Sequence, residues 1–220
     1  MNHFSATGLI CMRGGRMVFA GLDFAVGSGQ ALLLVGPNGS GKSSLLRLMS
    51  GLARPVEGAI SWNGDAIADD PEQHAARLHY VGHLDAVKPS LTVAENLAAW
   101  VELRGMGGDV ARGLNRFGLL PLADMPARLL SAGQRRRLAL ARIVASPAAL
   151  WLLDEPTVAL DRKSVAALEA AVAEHLGSGG AVVLSSNVDV GLVDPIVLRI
   201  DDFTSLDGAA VDDFLLDGVA

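Results

Sequence analysis

The residues that could do chemistry fall in three short segments. Gly36-Pro37-Asn38-Gly39-Ser40-Gly41-Lys42-Ser43 fits the pattern G-x-x-x-x-G-K-[ST]. Glycines at these places let backbone N–H groups converge on phosphate oxygens, at the positive end of the helix that follows. Lys42 is placed to reach the β and γ phosphates of a nucleotide, and the Ser43 hydroxyl to ligate Mg²⁺. Together with Ser44 these residues are the candidate phosphate-binding set. A second segment, Leu150-Trp151-Leu152-Leu153-Asp154-Glu155-Pro156, is an apolar run ending in two carboxylates. There Asp154 can hold Mg²⁺ through water, and Glu155 can polarise an attacking water. The third, Leu130-Ser131-Ala132-Gly133-Gln134, ends 20 residues before Asp154 and opens a helix bearing Arg135, Arg136, Arg137 and Arg142. Ser131 is a ready N-cap, and the helix start offers N–H groups and a dipole to a phosphate.

Such side chains need elements that hold them in place. Residues 17–26 and 31–35 read as strands separated by Gly27-Ser28-Gly29, the second a continuous apolar run as in a strand buried on both faces. The glycine loop then leads into a helix over 42–51, where Leu45, Leu46 and Leu48 recur at helical spacing. Pro55 and Gly58 precede a short strand at 59–62. No strong strand signal occurs over 92–145, and Thr92 with Glu95 makes a capping-box start for a helix towards Trp100. Strand character returns at 150–153 and 181–184, with a helix over 163–176 between them. The order predicts an α/β domain with a mainly parallel sheet, interrupted by a helical insert.

Composition narrows the class further. Of 220 residues, 50% are apolar and 19% charged, with a mean hydropathy of +0.37. Disorder requires the opposite balance. The longest apolar runs, 31–35 and 148–153, are strand-sized, far short of the roughly 18–20 residues that cross a bilayer. Met1-Asn2-His3-Phe4 does not open a signal peptide, since no basic start or apolar stretch follows. The net charge of −6 belongs to the tail: Asp201, Asp202, Asp207, Asp212, Asp213 and Asp217 follow the last basic residue, Arg199. The remaining body is neutral and lacks the basic footprint of nucleic-acid binding. Cys11 stands alone, so it forms no intramolecular disulfide and reads as a small buried hydrophobe. His3, His74, His79, His83 and His175 show no ligand spacing. The arginine run after Gln134 reads as a solvated helix face beside phosphate.

The three segments together resemble the ABC ATPases, with Ala132 where the second glycine of LSGGQ usually stands. Ala159-Leu160-Asp161 is similar to the D-loop of that family. The stretches Cys11-Met12-Arg13-Gly14-Gly15-Arg16, Tyr80 to Pro89, Leu129 to Arg137 and Trp151 to Pro156 resemble the haem-exporter ATP-binding subunits of cytochrome c maturation. The resemblance implies a P-loop NTPase of ABC type. Its RecA-like parallel core would carry an N-terminal antiparallel β subdomain and a helical subdomain inserted at about 85–145. One ATPase domain would span 1–204, followed by an acidic tail at 205–220. It further implies ATP and Mg²⁺ as ligands, and a head-to-tail homodimer with each nucleotide between one copy's glycine loop and the other's Ser131, Ala132, Gly133 and Gln134. Partnership with integral-membrane subunits, at the cytoplasmic face of the inner membrane, is also implied. Leu84, Val87, Leu91, Leu97 and Trp100 are candidates for a groove meeting those subunits.

Besides Ala132, three positions depart from the family pattern. Arg13 stands where many relatives stack an aromatic on adenine, with Phe19 as the alternative. His83 replaces the glutamine that usually couples Mg²⁺ to the transmembrane partner. Asn187 stands where the switch histidine is expected; it can hydrogen-bond a γ-phosphate oxygen but neither carries charge nor shuttles a proton. Hydrolysis is therefore expected to be slow but nonzero. A soluble, non-transporting ABC ATPase, for example in cluster assembly, and a slow nucleotide-regulated binding module are the competing readings.

Overall fold

In a computed structural model, residues 2–186 and 190–204 are described. Strands β1 (His3–Arg13) and β2 (Arg16–Gly27) pair antiparallel across Gly14-Gly15, whose φ angles of 56° and 75° suit the tight turns that match strand twist. β1 was not legible as a strand because its alternation changes phase. Phe4 and Ala6 are buried, then Leu9 and Cys11, and the register slips between Ala6 and Leu9. β3 (Ala31–Val35) leads through the glycine loop into α1 (Lys42–Met49). β4 (Glu57–Trp62) and β5 (Asp65–Ala66) complete an antiparallel sheet of order β2-β1-β4-β5.

After α2 (Pro71–Arg77) come β6 (Leu78–Val81), the helical segment, β7 (Leu150–Asp154), α6 (Arg162–Gly177), β8 (Ala181–Ser185) and β9 (Ile196–Arg199). β3 joins these strands in a second sheet of order β6-β7-β8-β3-β9, with every pairing parallel. Two of its strands, β6 and β9, are four residues each, too short to show a period. All residues of β7 and β8 are buried, and they alternate between two cores. Leu150, Leu152, Ala181 and Val183 join a core with α1 and the antiparallel sheet, while Trp151, Leu153, Val182 and Leu184 join one with the helices. A strand covered on both faces must be apolar throughout, which accounts for the high hydropathy.

Between β6 and β7 lie α3 (Val93–Arg104), α4 (Val110–Arg116) and α5 (Ala132–Ala145), with two 3-10 turns at Leu120–Leu122 and Ala127–Leu129. The capping box that starts α3 is closed: the Glu95 N–H donates to Thr92 Oγ1 at 3.1 Å, and the Thr92 N–H to Glu95 Oε2 at 2.7 Å. Here two sequence expectations are corrected. Leu97 is fully buried in the helical core, because α3 packs that face against α5, so it lines no surface groove. The arginines of α5 do not form a solvated face. Arg136 and Arg142 are buried, and all four donate to backbone carbonyls of their own chain, among them Leu130 from Arg135 and Phe117 from Arg137. A guanidinium offers five donors, and buried loop carbonyls need them.

The histidines other than His3 and His83 serve packing. His74 Nε2 lies 2.8 Å from the Met49 carbonyl, and His79 Nε2 3.0 Å from that of Ser146. Burial, with Arg104 nearby, pushes the His79 pKa down to about 3. Burial lowers that of His175 to about 4, its ring stacked on Trp151 at 3.9 Å. Both are neutral near pH 7. Burial raises the Cys11 thiol pKa, in keeping with a small hydrophobe rather than a reactive thiolate.

Candidate nucleotide site

The glycine loop owes its path to contacts a side chain would forbid. Gly41 has φ 109°, and a Cβ there would sit 2.5 Å from Val18 Cγ1; a Cβ at Gly36, φ 148°, would sit 2.7 Å from Ser40 Oγ. Gly41 is also the N-cap of α1 and supplies no side-chain cap, so the first N–H groups of the helix are left to an outside acceptor. The buried Lys42 ammonium donates to the carbonyls of Gly36 at 2.7 Å and Pro37 at 3.1 Å. The loop thus holds its own cation in a place phosphate oxygens can take over.

Across β8 from β3, β7 ends at Asp154, which is 2% exposed. Ser185 Oγ donates to Asp154 Oδ1 at 2.8 Å and accepts the Glu155 N–H at 3.0 Å. The Glu155 N–H also lies 3.2 Å from the Ser185 carbonyl. Glu155 sits at φ 45°, a left-handed conformation that costs a non-glycine residue on the order of 1 kcal/mol or more. Glu155 and Asp154 both line one cleft.

A cleft of about 480 Å³ gathers most of the residues singled out from sequence: Arg13, Asn38, Gly39, Gly41, Lys42, Ser43, Ser44, His83, Asp154 and Glu155. Val18 and Val158 line it too and were missed, being ordinary apolar residues whose role only the fold assigns. Gly36 and Pro37 act through the carbonyls that hold Lys42, and Ser40 turns into the protein, its Oγ buried without a partner. Phe19 is fully buried against the loop at Gly41, which rules it out as the adenine platform and leaves Arg13 with Val18 at that edge. Asn187 and the tail from 205 onward lie outside the described residues. The oxygen donors of Ser43 and Asp154, with phosphate oxygens, suit a hard cation such as Mg²⁺.

Ser131, Ala132, Gly133 and Gln134 are absent from the cleft's lining. Their helix start is closed on itself: the Gln134 N–H donates to Ser131 Oγ at 3.2 Å and the Ser131 N–H to Gln134 Oε1 at 2.7 Å. Ser131 and Ala132 are exposed, and a Cβ at Gly133 would sit 2.7 Å from the Ala159 carbonyl. Segment 131–134 is therefore not part of the cleft that gathers the glycine loop and the acidic pair.

A parallel sheet with the glycine loop at the end of one strand and an acidic pair two strands over defines a P-loop ATPase, and the separate capped segment at 131–134 points to the ABC type. The family model described as ABC transporter matches residues 19–158. The chain is 55% identical over 205 residues to the cytochrome c biogenesis ATP-binding export protein CcmA of Paramagnetospirillum magneticum, covering 91% of this chain and 94% of that one. To the protein of the same description from Rhodospirillum rubrum it is 54% identical over 215 residues, 97% and 92% of the two chains. A solved structure described as the ATP-binding subunit of an ABC transporter superposes with a TM-score of 0.79 at 23% identity, over 99% of this chain and 95% of that chain. The chain belongs to the ABC transporter family and, within it, to the cytochrome c biogenesis ATP-binding export proteins.

Proposed function

We propose that this chain is the ATP-hydrolysing subunit of an inner-membrane complex that exports haem for cytochrome c biogenesis, with residues 1–204 acting as one ATPase unit. The observation that carries the ATPase part is the cleft that brings Lys42, Ser43, Asp154 and Glu155 together, with segment 131–134 outside its lining. The cytochrome c biogenesis and export part rests on the description of the 55% and 54% identical relatives, and haem as the cargo on the resemblance of segments 11–16, 80–89, 129–137 and 151–156 to haem-exporter subunits.

ATP enters with its phosphates at the open N–H groups of α1, and Lys42 exchanges loop carbonyls for β and γ oxygens. Ser43, and Asp154 through water, would hold Mg²⁺, which would supply neutralisation of phosphate charge. Glu155 accepts a proton from the water whose oxygen attacks the γ-phosphorus as the bond to the bridging oxygen breaks, leaving ADP and phosphate. Segment 131–134 of a second copy completes the site. Asn187 can donate to the γ-phosphate without carrying charge, so turnover is slow. Asn187→His should raise the ATPase rate by about tenfold or more; an unchanged rate in the reconstituted complex would contradict that account.

No helix among the described residues is long and apolar enough to cross a membrane. The partner groove lies between α2, β6 and α3, a cleft of about 550 Å³ lined by Leu52, Leu78, Val81, Trp100 and Leu103. Leu103 is 80% exposed there, whereas Val87 is half-buried against the helical core and Leu84, 83% exposed, lies outside this lining. The test is affinity capture from detergent-solubilised membranes at the cytoplasmic face. The wild type should retain an integral-membrane protein and haem absorbance. Leu103→Asp should lose the membrane protein at least tenfold while keeping its own ATP binding, because a charge cannot be desolvated in an apolar contact. Capture of neither membrane protein nor haem by the wild type would favour the soluble ATPase reading.

A further inference from the structure

Arg136 sits on the second turn of α5 and is 4% exposed. A buried cation is costly unless its geometry and hydrogen bonds compensate. All three of its side-chain nitrogens are used. Nη2 donates to the carbonyls of Asp154 at 2.7 Å and Glu155 at 2.9 Å, and Nε lies 3.4 Å from that of Pro156. Nη1 donates to the Gly82 carbonyl at 2.8 Å and approaches Asp85 Oδ1 at 3.4 Å.

One guanidinium therefore grips two separate pieces of backbone. The first is the end of β7, where Glu155 is held at positive φ. Ser185 takes the N–H of Glu155 and Arg136 takes its carbonyl, so both flanking peptide groups are pinned. Strained backbone of this kind persists only where neighbours over-determine it. The second is the 82–85 turn, which carries His83 into the cleft. Both are fastened to the helix whose first residues form segment 131–134.

We propose that Arg136 is a positioning residue for hydrolysis: it fixes the aim of the Glu155 carboxylate and the place of His83 relative to the start of α5. Nucleotide captured by segment 131–134 then sets the geometry of the base in the same copy. The proposal rests on the ATPase reading. It also assigns a purpose to a residue whose type, amid an arginine run, suggested solvent.

Arg136→Lys keeps the charge but offers one nitrogen, which cannot hold both backbones at once. In the full-length protein this variant should lose about 10–100-fold in kcat, as expected for a small misplacement of a reacting group. KM and the affinity for MgATP should stay within about twofold of wild type. Added to Glu155→Gln, Arg136→Lys should give no further loss, since it acts through that carboxylate. Three results would overturn the proposal: kcat close to wild type, a multiplicative loss in the double variant, or a loss of kcat explained by melting below the assay temperature. A wild-type chain without turnover would overturn the ATPase reading together with this proposal, and the parallel wild-type measurement tells the two apart.

Discussion

Glu155→Gln is expected to lower ATP turnover by about 10²–10⁴-fold, the range a positioned proton acceptor contributes. The substitution keeps the size of the side chain and leaves both pinned peptide groups, to Ser185 and to Arg136, in place. It replaces the charged carboxylate by a neutral amide, and with the charge goes the capacity to take a proton. Nucleotide binding rests elsewhere, on the loop, Lys42 and the open end of α1. The variant should therefore load ATP and stop. Since each nucleotide would join the loop of one copy to segment 131–134 of another, the stalled state should be a dimer. Light scattering after gel filtration with ATP and Mg²⁺ reads this directly. A monomer under saturating nucleotide, or turnover within tenfold of wild type, would refute the assignment of Glu155 as base.

Lys42→Ala should act on binding instead. The ammonium is buried and, among the described residues, its hydrogen bonds go to carbonyls of its own loop, at 2.7 and 3.1 Å. In exchange for these it would meet phosphate oxygens of full charge, a stronger contact. Removing one partner of a desolvated charge pair costs about 2–5 kcal/mol, or roughly 30–4,000-fold in affinity. Titration with a fluorescent ATP analogue should show that rise in Kd, with the melting temperature of the free protein changed far less. An affinity within threefold of wild type would mean that the loop amides alone carry the phosphates.

The site was legible in sequence wherever its logic is local. The glycine loop can be read from eight consecutive residues, because it consists of backbone amides and one lysine at fixed spacing. The capping box at Thr92 and the N-cap at Ser131 are patterns of four residues or fewer, and both form as expected, the latter with Gln134 closing a second box. Asp154 and Glu155 stand out because the acidic pair at the end of an apolar strand occurs in the same chain as the glycine loop. What the sequence could not show are the contacts made across it. Phe19 and Leu97 look like surface partners by type, but Phe19 packs under Gly41 and Leu97 under α5. Arg136, Arg137 and Arg142 look solvated, and are bound to carbonyls 18 to 57 residues away. β1 escaped because its bulge reverses which side chains face the core, and β6 and β9 because four residues hold too little pattern.

Residue type and short spacing thus determined that the chain has a phosphate loop, an acidic strand end, a capped segment at 131–134 and an α/β order of elements. These depend on hydrogen bonds and periodicities closed within a few residues. The tertiary structure decided that β8 separates β7 from β3, that Glu155 lines the cleft at positive φ, and that segment 131–134 lies outside that lining. Strand order and the orientation of an exposed helix start are set by burial over long separations, where many arrangements satisfy the same local pattern and only the packed core selects one.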